Sequence, residues 1–402
     1  MSAAGDPPAA GSLGLVETQQ AVLFDEGRPL TFDSGASLAP VQVAYETYGE
    51  LNAARTNAVF VCHALTGDAH AAGHHGDPAR PGWWDNLIGP GKPVDTDRFF
   101  VVCPNLLGGC RGTTGPGSPD PDRDGAPYGL RFPLFTVADL VRVHRALARR
   151  LGIERFLAAI GGSLGGMQVL QWALDHPEDL HAGAVICASA RLSAQNIAFS
   201  AVAREAIRRD PDFHGGDYAA HGVKPENGLR LARMLAHITY LSEESMRQKF
   251  GRRIQDADEP RFAFDVDFQV ESYLAHQGDV FLDRFDANSY LYLTRVMDYF
   301  DPFADPVQTQ ARLAALRSRF LVVSFDTDWR FATEHSLEIV RTLAEADVPV
   351  TFREVASPHG HDSFLLPVPE YHRTVATFLD RMEAEAVHGA PAALAPGERA
   401  GR

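Results

Sequence analysis

The stretch Gly161-Gly162-Ser163-Leu164-Gly165-Gly166 decides how this chain folds. An apolar run of strand length precedes it at residues 156–160, and residues 167–174 after it have the pattern of a helix. A serine therefore stands at the tip of a sharp turn between a strand and a helix. The surrounding glycines have no Cβ, so they allow the serine backbone to be strained and let adjacent backbone segments approach closely. A plain glycine-rich turn is the alternative, and these residues alone do not decide between the two.

Length and composition set the class of protein. The chain has 402 residues, of which 45% are hydrophobic and 22% charged, as in ordinary soluble globular proteins. This length suits one large α/β domain with an insertion, or two domains. The net charge of -15 argues against a general nucleic-acid binder, because a phosphate backbone would be repelled. We therefore expect no nucleic-acid partner.

The four cysteines and the N-terminal sequence indicate a cytoplasmic protein. Cys62, Cys103, Cys110 and Cys187 follow neither a zinc-binding nor a disulfide spacing, so we expect reduced thiols. The first residues lack the basic and apolar regions of a signal peptide. No apolar run is long enough to span a bilayer, and we expect no membrane partner.

The order of strand and helix patterns predicts the architecture. Two early segments, at 20–24 and 41–47, resemble antiparallel strands, and further strand patterns occur at 58–62, 99–103, 183–187, 320–324 and 348–355. Residues 190–310 have the pattern of several helices without a strand. We therefore predict a doubly wound, mostly parallel sheet with an inserted helical lid. The core comprises residues 13–189 and 311–388, the lid comprises 190–310, and residues 1–12 and 389–402 form disordered tails.

Helix starts are also marked in the sequence. Thr136 and Asp139 form a capping box that begins a helix. Thr333 or Ser336 can serve as N-cap of a second helix, which runs to about residue 345.

An acid and a histidine follow later strands in the order that accompanies a nucleophile elbow of the α/β-hydrolase fold. Asp326 and Asp328 follow the strand ending at residue 324, and His359 and His361 follow the strand ending near residue 355. Serine is a weak nucleophile until an imidazole takes its proton, and an acid holds that imidazole in the right tautomer. Together these residues favour a catalytic serine at position 163. The alternative is that Asp328 caps a helix and His361 only packs.

Two backbone N–H groups are candidates for an oxyanion hole. Leu164 follows the serine and supplies the first donor, and Leu65, in the loop after the third core strand, supplies the second. We expect His63, in the same loop, to have a structural role and not a catalytic one. The spacing of His70, His74 and His75 matches no standard zinc motif, so we expect no metal.

Several longer motifs resemble one family. They are HALTGDAH, GWWDNLIGPGKP, NLLGGCRGTTGP, GGSLGGMQVLQWA, LSAQNIAF, LARMLAHITYLS, RFDANSYLYLTRVMDYFD and GHDSFLLP. Together they resemble the homoserine O-acyltransferases of methionine biosynthesis, from about residue 15 to residue 382. The resemblance implies an α/β-hydrolase core with a helical lid. It also implies a ping-pong transfer from acyl-CoA, a co-substrate, to the hydroxyl of L-homoserine, with no further cofactor.

The same resemblance implies roles for individual residues. Ser163 is the nucleophile, Asp328 the acid and His361 the base. Asp362, directly after the histidine, holds the homoserine amino group. Arg233 in the LARM segment is a substrate contact, and its guanidinium fork suits a carboxylate. A homodimer is also expected.

Arg330 bears on the acyl donor. In the family this position is linked to donor choice, and arginine resembles the succinyl-using members. A succinyl group carries a free carboxylate that a buried arginine can pair, whereas an acetyl group would leave that arginine unpaired. The motifs HALTGDAH and GGCRGTTGP instead resemble acetyl-using members. We favour succinyl-CoA, with acetyl-CoA as the alternative.

Two other classes of function are compatible with the fold. A serine esterase or thioesterase would use water in place of homoserine as the acyl acceptor. A non-catalytic binding protein would have no reason to keep Ser163, Asp328 and His361 together.

Overall fold

An eight-stranded sheet forms the centre of the computed structural model, which describes residues 11–262 and 264–388. Apart from Gly11 and Ser12, the predicted tails lie outside the described residues. In chain order the strands are β1 (Gln19–Leu23), β2 (Val41–Tyr48), β3 (Ala58–Cys62), β4 (Phe100–Pro104), β5 (Ala158–Gly162), β6 (Ala182–Ile186), β7 (Arg319–Phe325) and β8 (Val350–Val355). Two short ribbons accompany them, Leu30–Thr31 with Ser37–Leu38 and Ile88–Gly89 with Val94–Asp95.

The strand order across the sheet is β1-β2-β4-β3-β5-β6-β7-β8. Strand β2 pairs antiparallel with β1 and β4, and the pairs from β4 through β8 are parallel. Every residue of β3, β5 and β6 is buried, as expected for central parallel strands that helices cover on both faces. The predicted doubly wound, mostly parallel α/β-hydrolase sheet is confirmed.

Ten α-helices surround the sheet in the part of the chain that the structure describes. They are α1 (Val137–Arg150), α2 (Leu164–Asp175), α3 (Ala194–Arg208), α4 (Glu226–Tyr240), α5 (Glu243–Lys249), α6 (Gln269–Leu282), α7 (Ala287–Asp298), α8 (Pro306–Ala315), α9 (Thr333–Glu345) and α10 (Pro369–His388). Buried side chains of α1, α2 and α9 join the core on one face of the sheet, and those of α10 join the core on the other. No described helix has both the length and the apolarity needed to cross a membrane.

Helices α3 to α8 fill the chain between β6 and β7, where the described residues form no strand of the sheet. This block corresponds to the inserted lid predicted at 190–310. The predicted boundary at residue 310 falls inside α8, which packs on the core helix α2. The division into core and lid domains stays a prediction.

Two helix N-caps were predicted from local sequence patterns, and one of the two predictions is confirmed. The capping box at Thr136 is confirmed, because its side chain accepts the Asp139 N–H while the Asp139 carboxylate accepts the Thr136 N–H. The predicted cap of α9 was wrong: Ala332 is the N-cap, and the Thr333 hydroxyl bonds Ser324 and Glu354 instead.

Strand β5 begins at residue 158, two residues later than the apolar run predicted, and continues through Gly161 and Gly162. The cause is pairing with both neighbours, since Gly161 pairs with Cys62 of β3 and Gly162 with Ile186 of β6. All four cysteines are free in the structure.

The tight passage of β3 behind the serine turn gives a stability prediction. A Cβ added at Gly165 would lie 2.1 Å from the Cys62 carbonyl oxygen, which is backbone and cannot give way. Gly165→Ala should therefore lower the free energy of unfolding by roughly 1–3 kcal/mol or more. Gly117→Ala is the control, because no atom lies within 4 Å of its added Cβ. Thermal unfolding measures both variants, and equal melting temperatures would contradict the proposed clash.

Candidate active site

Four neighbouring parallel strands, β5 to β8, end at the same edge of the sheet. Ser163 follows β5, Cys187 follows β6, Asp328 lies three residues after β7, and His361 lies in the turn after β8. Since the carboxyl ends of parallel strands meet at one edge, residues far apart in sequence come together there. This edge holds the candidate site.

Ser163 has a strained backbone. Its φ of 56° and ψ of -125° lie in a region that non-glycine residues rarely adopt, which costs about 1–3 kcal/mol. Two backbone hydrogen bonds hold it, from Ser163 N–H to Ile186 O at 2.9 Å and from Met167 N–H to Ser163 O at 3.2 Å. A Cβ at Gly161 would lie 2.3 Å from the carbonyl carbon of Gly165, so the turn closes only with glycine there. This geometry is that of a nucleophile elbow.

Asp328 and His361 form a buried hydrogen-bonded pair. The Nδ1–H of His361 donates to Oδ2 of Asp328 at 2.6 Å, and the two side chains are 4% and 0% exposed. The other carboxylate oxygen accepts the backbone N–H groups of Arg330 and Phe331 at 3.0 and 2.8 Å. These donors satisfy both carboxylate oxygens and fix the imidazole with its Nε2 free of any described partner.

Cys187 lies beside the Asp328–His361 pair. Its sulfur, the Asp328 carboxylate and a ring nitrogen of His361 all lie within 4.8 Å of one another. Burial raises the pKa of the Cys187 thiol well above its usual value, while the neighbouring Ser163 N–H acts in the opposite direction. The thiol is therefore neutral, and it has the Ser163 backbone N–H and the Asp328–His361 pair as neighbours.

Asp326 and His359, the alternatives left open by spacing, lie outside this cluster. Asp326 is exposed, and its carboxylate accepts the backbone N–H of Ser357 at 2.9 Å. His359 precedes the short helix Gly360–Leu365, and its own N–H meets the Ser357 hydroxyl at 3.5 Å.

Aromatic rings surround the His361 imidazole. Phe331 stacks on it at 4.9 Å between ring centroids, Phe364 lies at 5.6 Å, and Tyr240 of the inserted helix α4 lies at 5.9 Å. The imidazole is therefore shielded from water on several sides, which strengthens its interaction with Asp328.

The N–H groups of Leu65 and Leu164 are free to bind an anion. Leu164 is the first residue of α2, and neither N–H donates to any described residue. The side-chain amide of Gln168 donates to the carbonyls of His63 and Leu164, at 3.1 and 3.0 Å, and so joins the loop to the helix start. The positive end of the helix dipole favours an anion at the same place.

Arg233 and Asp362 present opposite charges beside the pair. Arg233 packs over the ring of Phe281 at 4.6 Å, its Nη1 meets the Thr66 hydroxyl at 3.5 Å, and its buried Nε has no described partner. Burial raises the pKa of Asp362, and the charges of His361 and Arg233 partly offset this rise. No ion pair within 4.0 Å joins Arg233 to Asp362 or to another described carboxylate. The two charges are thus available to a ligand that carries both signs.

Arg330 is a buried guanidinium without an acidic partner among the described residues. It is 7% exposed, donates to the Thr239 hydroxyl at 2.7 Å, and lies over the Tyr240 ring at 5.6 Å. Tyr240 and Phe331 contact both the Arg330 guanidinium and the His361 imidazole, so a single aromatic ring separates the two groups.

Sequence reasoning missed several residues of the site. Thr66, Thr239, Tyr240 and Phe331 hold the charged groups, yet their types and spacing resemble those of ordinary helix and core residues. Thr66, Thr239 and Tyr240 lie within the family motifs quoted above, and that position was the only feature of the sequence that could have pointed to them.

A histidine cluster lies elsewhere, around Glu46 of β2. The buried carboxylate accepts hydrogen bonds from His70 Nδ1 at 3.1 Å, His75 Nε2 at 2.8 Å, a threonine hydroxyl and the hydroxyl of Tyr48. These four donors satisfy the carboxylate and tie the N-terminal segment to the loop after β3. His74 interacts with that segment through its backbone.

Comparisons with known proteins place this chain in a family. The family model for the alpha/beta hydrolase fold matches residues 57–367. The chain is 57% identical over 381 residues to a homoserine O-succinyltransferase of Magnetococcus marinus, with 93% of this chain and 96% of that protein covered. It is 58% identical to a homoserine O-succinyltransferase of a Nocardioides species, with 92% and 99% covered. It is 53% identical to a homoserine O-acetyltransferase of Rhodospirillum rubrum, with 94% and 97% covered.

Solved structures agree on the fold. A homoserine O-acetyltransferase from Bacillus anthracis superposes with a TM-score of 0.84 at 28% identity, covering 92% of this chain and 99% of that one. Esterase E22 superposes with a TM-score of 0.81 at 28% identity, covering 91% and 100%. By the extent and identity of these matches, the chain belongs to the homoserine O-acyltransferase family of the α/β-hydrolase fold.

Proposed function

We propose that this protein transfers an acyl group, succinyl in preference to acetyl, from acyl-CoA to the hydroxyl of L-homoserine through an acyl-enzyme on Ser163. The observation that carries the proposal is the pair of free opposite charges, Arg233 and Asp362, beside the buried Asp328–His361 hydrogen bond. An amino acid presents a carboxylate and an ammonium group together, and these two side chains complement both.

In the first half-reaction, Ser163 Oγ attacks the thioester carbonyl while His361 Nε2 takes the serine proton. Asp328 stabilises the imidazolium that forms, and the N–H groups of Leu65 and Leu164 bind the developing oxyanion. Collapse of the tetrahedral intermediate breaks the carbon–sulfur bond. The leaving CoA sulfur takes the proton from His361, and the acyl group remains as an ester on Ser163.

In the second half-reaction, the homoserine hydroxyl attacks that ester, and His361 accepts its proton. Arg233 binds the homoserine carboxylate and Asp362 its ammonium group, so that the hydroxyl is oriented towards the acyl carbon. His361 then returns the proton to Ser163 as the O-acylhomoserine leaves. The aromatic rings around His361 limit access of water, which favours transfer over hydrolysis.

The preference for succinyl rests on Arg330. A guanidinium with little exposure and no acidic partner among the described residues is costly to keep in the protein unless a ligand supplies the counter-charge. The distal carboxylate of a succinyl group would supply it. Acetyl-CoA is the alternative donor, since relatives of both kinds match this chain.

A serine esterase is the second candidate function, because esterase E22 shares the fold at 28% identity. Water needs no charged anchors, so Arg233 and Asp362 favour the amino acid acceptor. The proposal includes a homodimer and a cytoplasmic location, the latter supported by the four free thiols. It requires no cofactor beyond the acyl-CoA co-substrate.

Assays of both donors with and without the acceptor test the proposed function. We expect purified protein with succinyl-CoA and L-homoserine to form O-succinylhomoserine faster than O-acetylhomoserine forms from acetyl-CoA. Release of CoA thiol should rise steeply when homoserine is added, because the acyl-enzyme is protected from water. Thiol release that is equally fast without homoserine would instead identify a thioesterase.

Replacing each of the two aspartates after β7 tests the assignment of the acid. Asp328→Asn should keep the fold and lower kcat by a factor on the order of 10⁴, as in comparable triads, because the imidazole loses its charged partner. Asp326→Asn is the matched control, since an amide oxygen can still accept the Ser357 N–H. Steady-state rates and melting temperatures of both variants decide, and the reverse order of effects would assign the acid to Asp326.

Substitution of Arg330 tests donor selection. Loss of a charge-assisted hydrogen bond in a dry site costs roughly 1.5–3 kcal/mol, so Arg330→Leu should lower kcat/KM for succinyl-CoA about ten- to a hundredfold. Turnover of acetyl-CoA should stay the same or rise, because an unpaired buried cation is removed. Arg330→Lys, which keeps the charge, should lose less. Equal losses for both donors would contradict a role for Arg330 in donor choice.

A further inference from the structure

Gln168 makes an unusual set of contacts behind the candidate oxyanion hole. It lies on α2 five residues after Ser163 and is fully buried. Its Nε2 donates one hydrogen bond to the carbonyl of His63 and another to the carbonyl of Leu164, at 3.1 and 3.0 Å. Its Oε1 accepts from His144 Nε2 at 2.8 Å. One amide therefore spans two segments that are about 100 residues apart in sequence.

His144 holds the oxygen end of this amide. The imidazole is 1% exposed, and burial lowers its pKa to about 4, so the ring is neutral near pH 7. Because the Gln168 oxygen can only accept, the single ring proton must be on Nε2, and Nδ1 has no described partner. The rings of Phe60 and Trp172, at 5.1 and 6.0 Å, hold the imidazole in place. The amide orientation itself follows from the carbonyls of His63 and Leu164, which can only accept, so that the Gln168 Nε2 faces them and its Oε1 faces His144.

His63 stiffens the loop on the other side. Its Nδ1–H donates to the Ala64 carbonyl at 2.7 Å, and its Nε2 accepts the Leu106 N–H at 3.0 Å. Burial lowers the pKa of His63, which favours the neutral ring, and the bond from the Leu106 N–H requires its single proton to be on Nδ1. At the start of the loop from His63 to Leu65, the His63 ring is therefore bonded to Leu106, which follows β4. The His63 carbonyl is bonded to Gln168.

We propose that Gln168 is a positioning residue, which sets the separation and direction of the Leu65 and Leu164 N–H groups that stabilise the oxyanion. The carbonyls it holds belong to Leu164 itself and to the residue two before Leu65. An oxyanion hole works only when both donors lie within hydrogen-bond distance of the oxygen in the transition state. The inference rests on the proposed chemistry at Ser163, but not on which acyl donor or acceptor the protein uses.

The test compares two glutamines on the same helix. Gln168→Met and Gln171→Met make the same substitution at buried positions, but among the described residues the Gln171 amide bonds only to Asp175, at 2.7 Å, away from the serine turn. Rapid quenching and intact-protein mass measurement follow acylation of Ser163 by succinyl-CoA without homoserine. Both variants should lose melting temperature. Only Gln168→Met should lose acylation rate, about ten- to a hundredfold, with an unchanged half-saturating succinyl-CoA concentration, since the donors act in the transition state.

His144→Phe is the second variant and serves alone if Gln168→Met does not fold. Phenylalanine keeps the packing against Phe60 and Trp172 but removes the N–H that holds the amide oxygen, so acylation should slow by a smaller factor. Ser163→Ala is the blank that forms no adduct. Unchanged acylation in Gln168→Met or His144→Phe, or equal losses at Gln168 and Gln171, would overturn the inference. If the unaltered protein forms no acyl-enzyme, the proposed function falls first and this inference falls with it.

Discussion

The hydrogen bond between His361 and Asp328 is the interaction on which the rest of the site depends. An ionised carboxylate removed from water is stable only when its oxygens are satisfied, and here two backbone N–H groups and an imidazole satisfy them. That arrangement needs β7 and β8 side by side, so that the turns after both strands meet. The parallel sheet is therefore what places the acid beside the histidine, and the strained Ser163 follows β5 at the same edge of the sheet.

The core and the inserted helices contribute different groups to the candidate site. The core carries the Asp328–His361 pair and the two free N–H groups, which can serve any acyl transfer. Helix α4 of the insertion brings Arg233, and its Thr239 and Tyr240 hold the guanidinium of Arg330. Esterase E22 superposes on 91% of this chain, so the shared fold alone does not decide between an amino acid and water as the acyl acceptor.

Local patterns in the sequence predicted the strands, the serine turn, the capping box at Thr136 and the fold class, because each depends on neighbouring residues. Apart from the Asp328–His361 pair, contacts between distant segments of the site could not be predicted. The bonds from His144 to Gln168 and from Gln168 to His63 join residues 24 and 105 positions apart, and nothing in their spacing marks them. The choice of Asp328 over Asp326 came from family resemblance, and its physical reason is that the chain turns Asp328 inward and leaves Asp326 exposed.

Isotope exchange tests the central claim, an acyl-enzyme on Ser163, most directly. Protein is incubated with succinyl-CoA and labelled free CoA in the absence of homoserine, and label is measured in succinyl-CoA. A ping-pong path through Ser163 predicts steady exchange in the unaltered protein and none in Ser163→Ala, because only a reversible acyl-enzyme returns the acyl group to free CoA. Exchange that requires homoserine, or that survives in Ser163→Ala, would contradict the account.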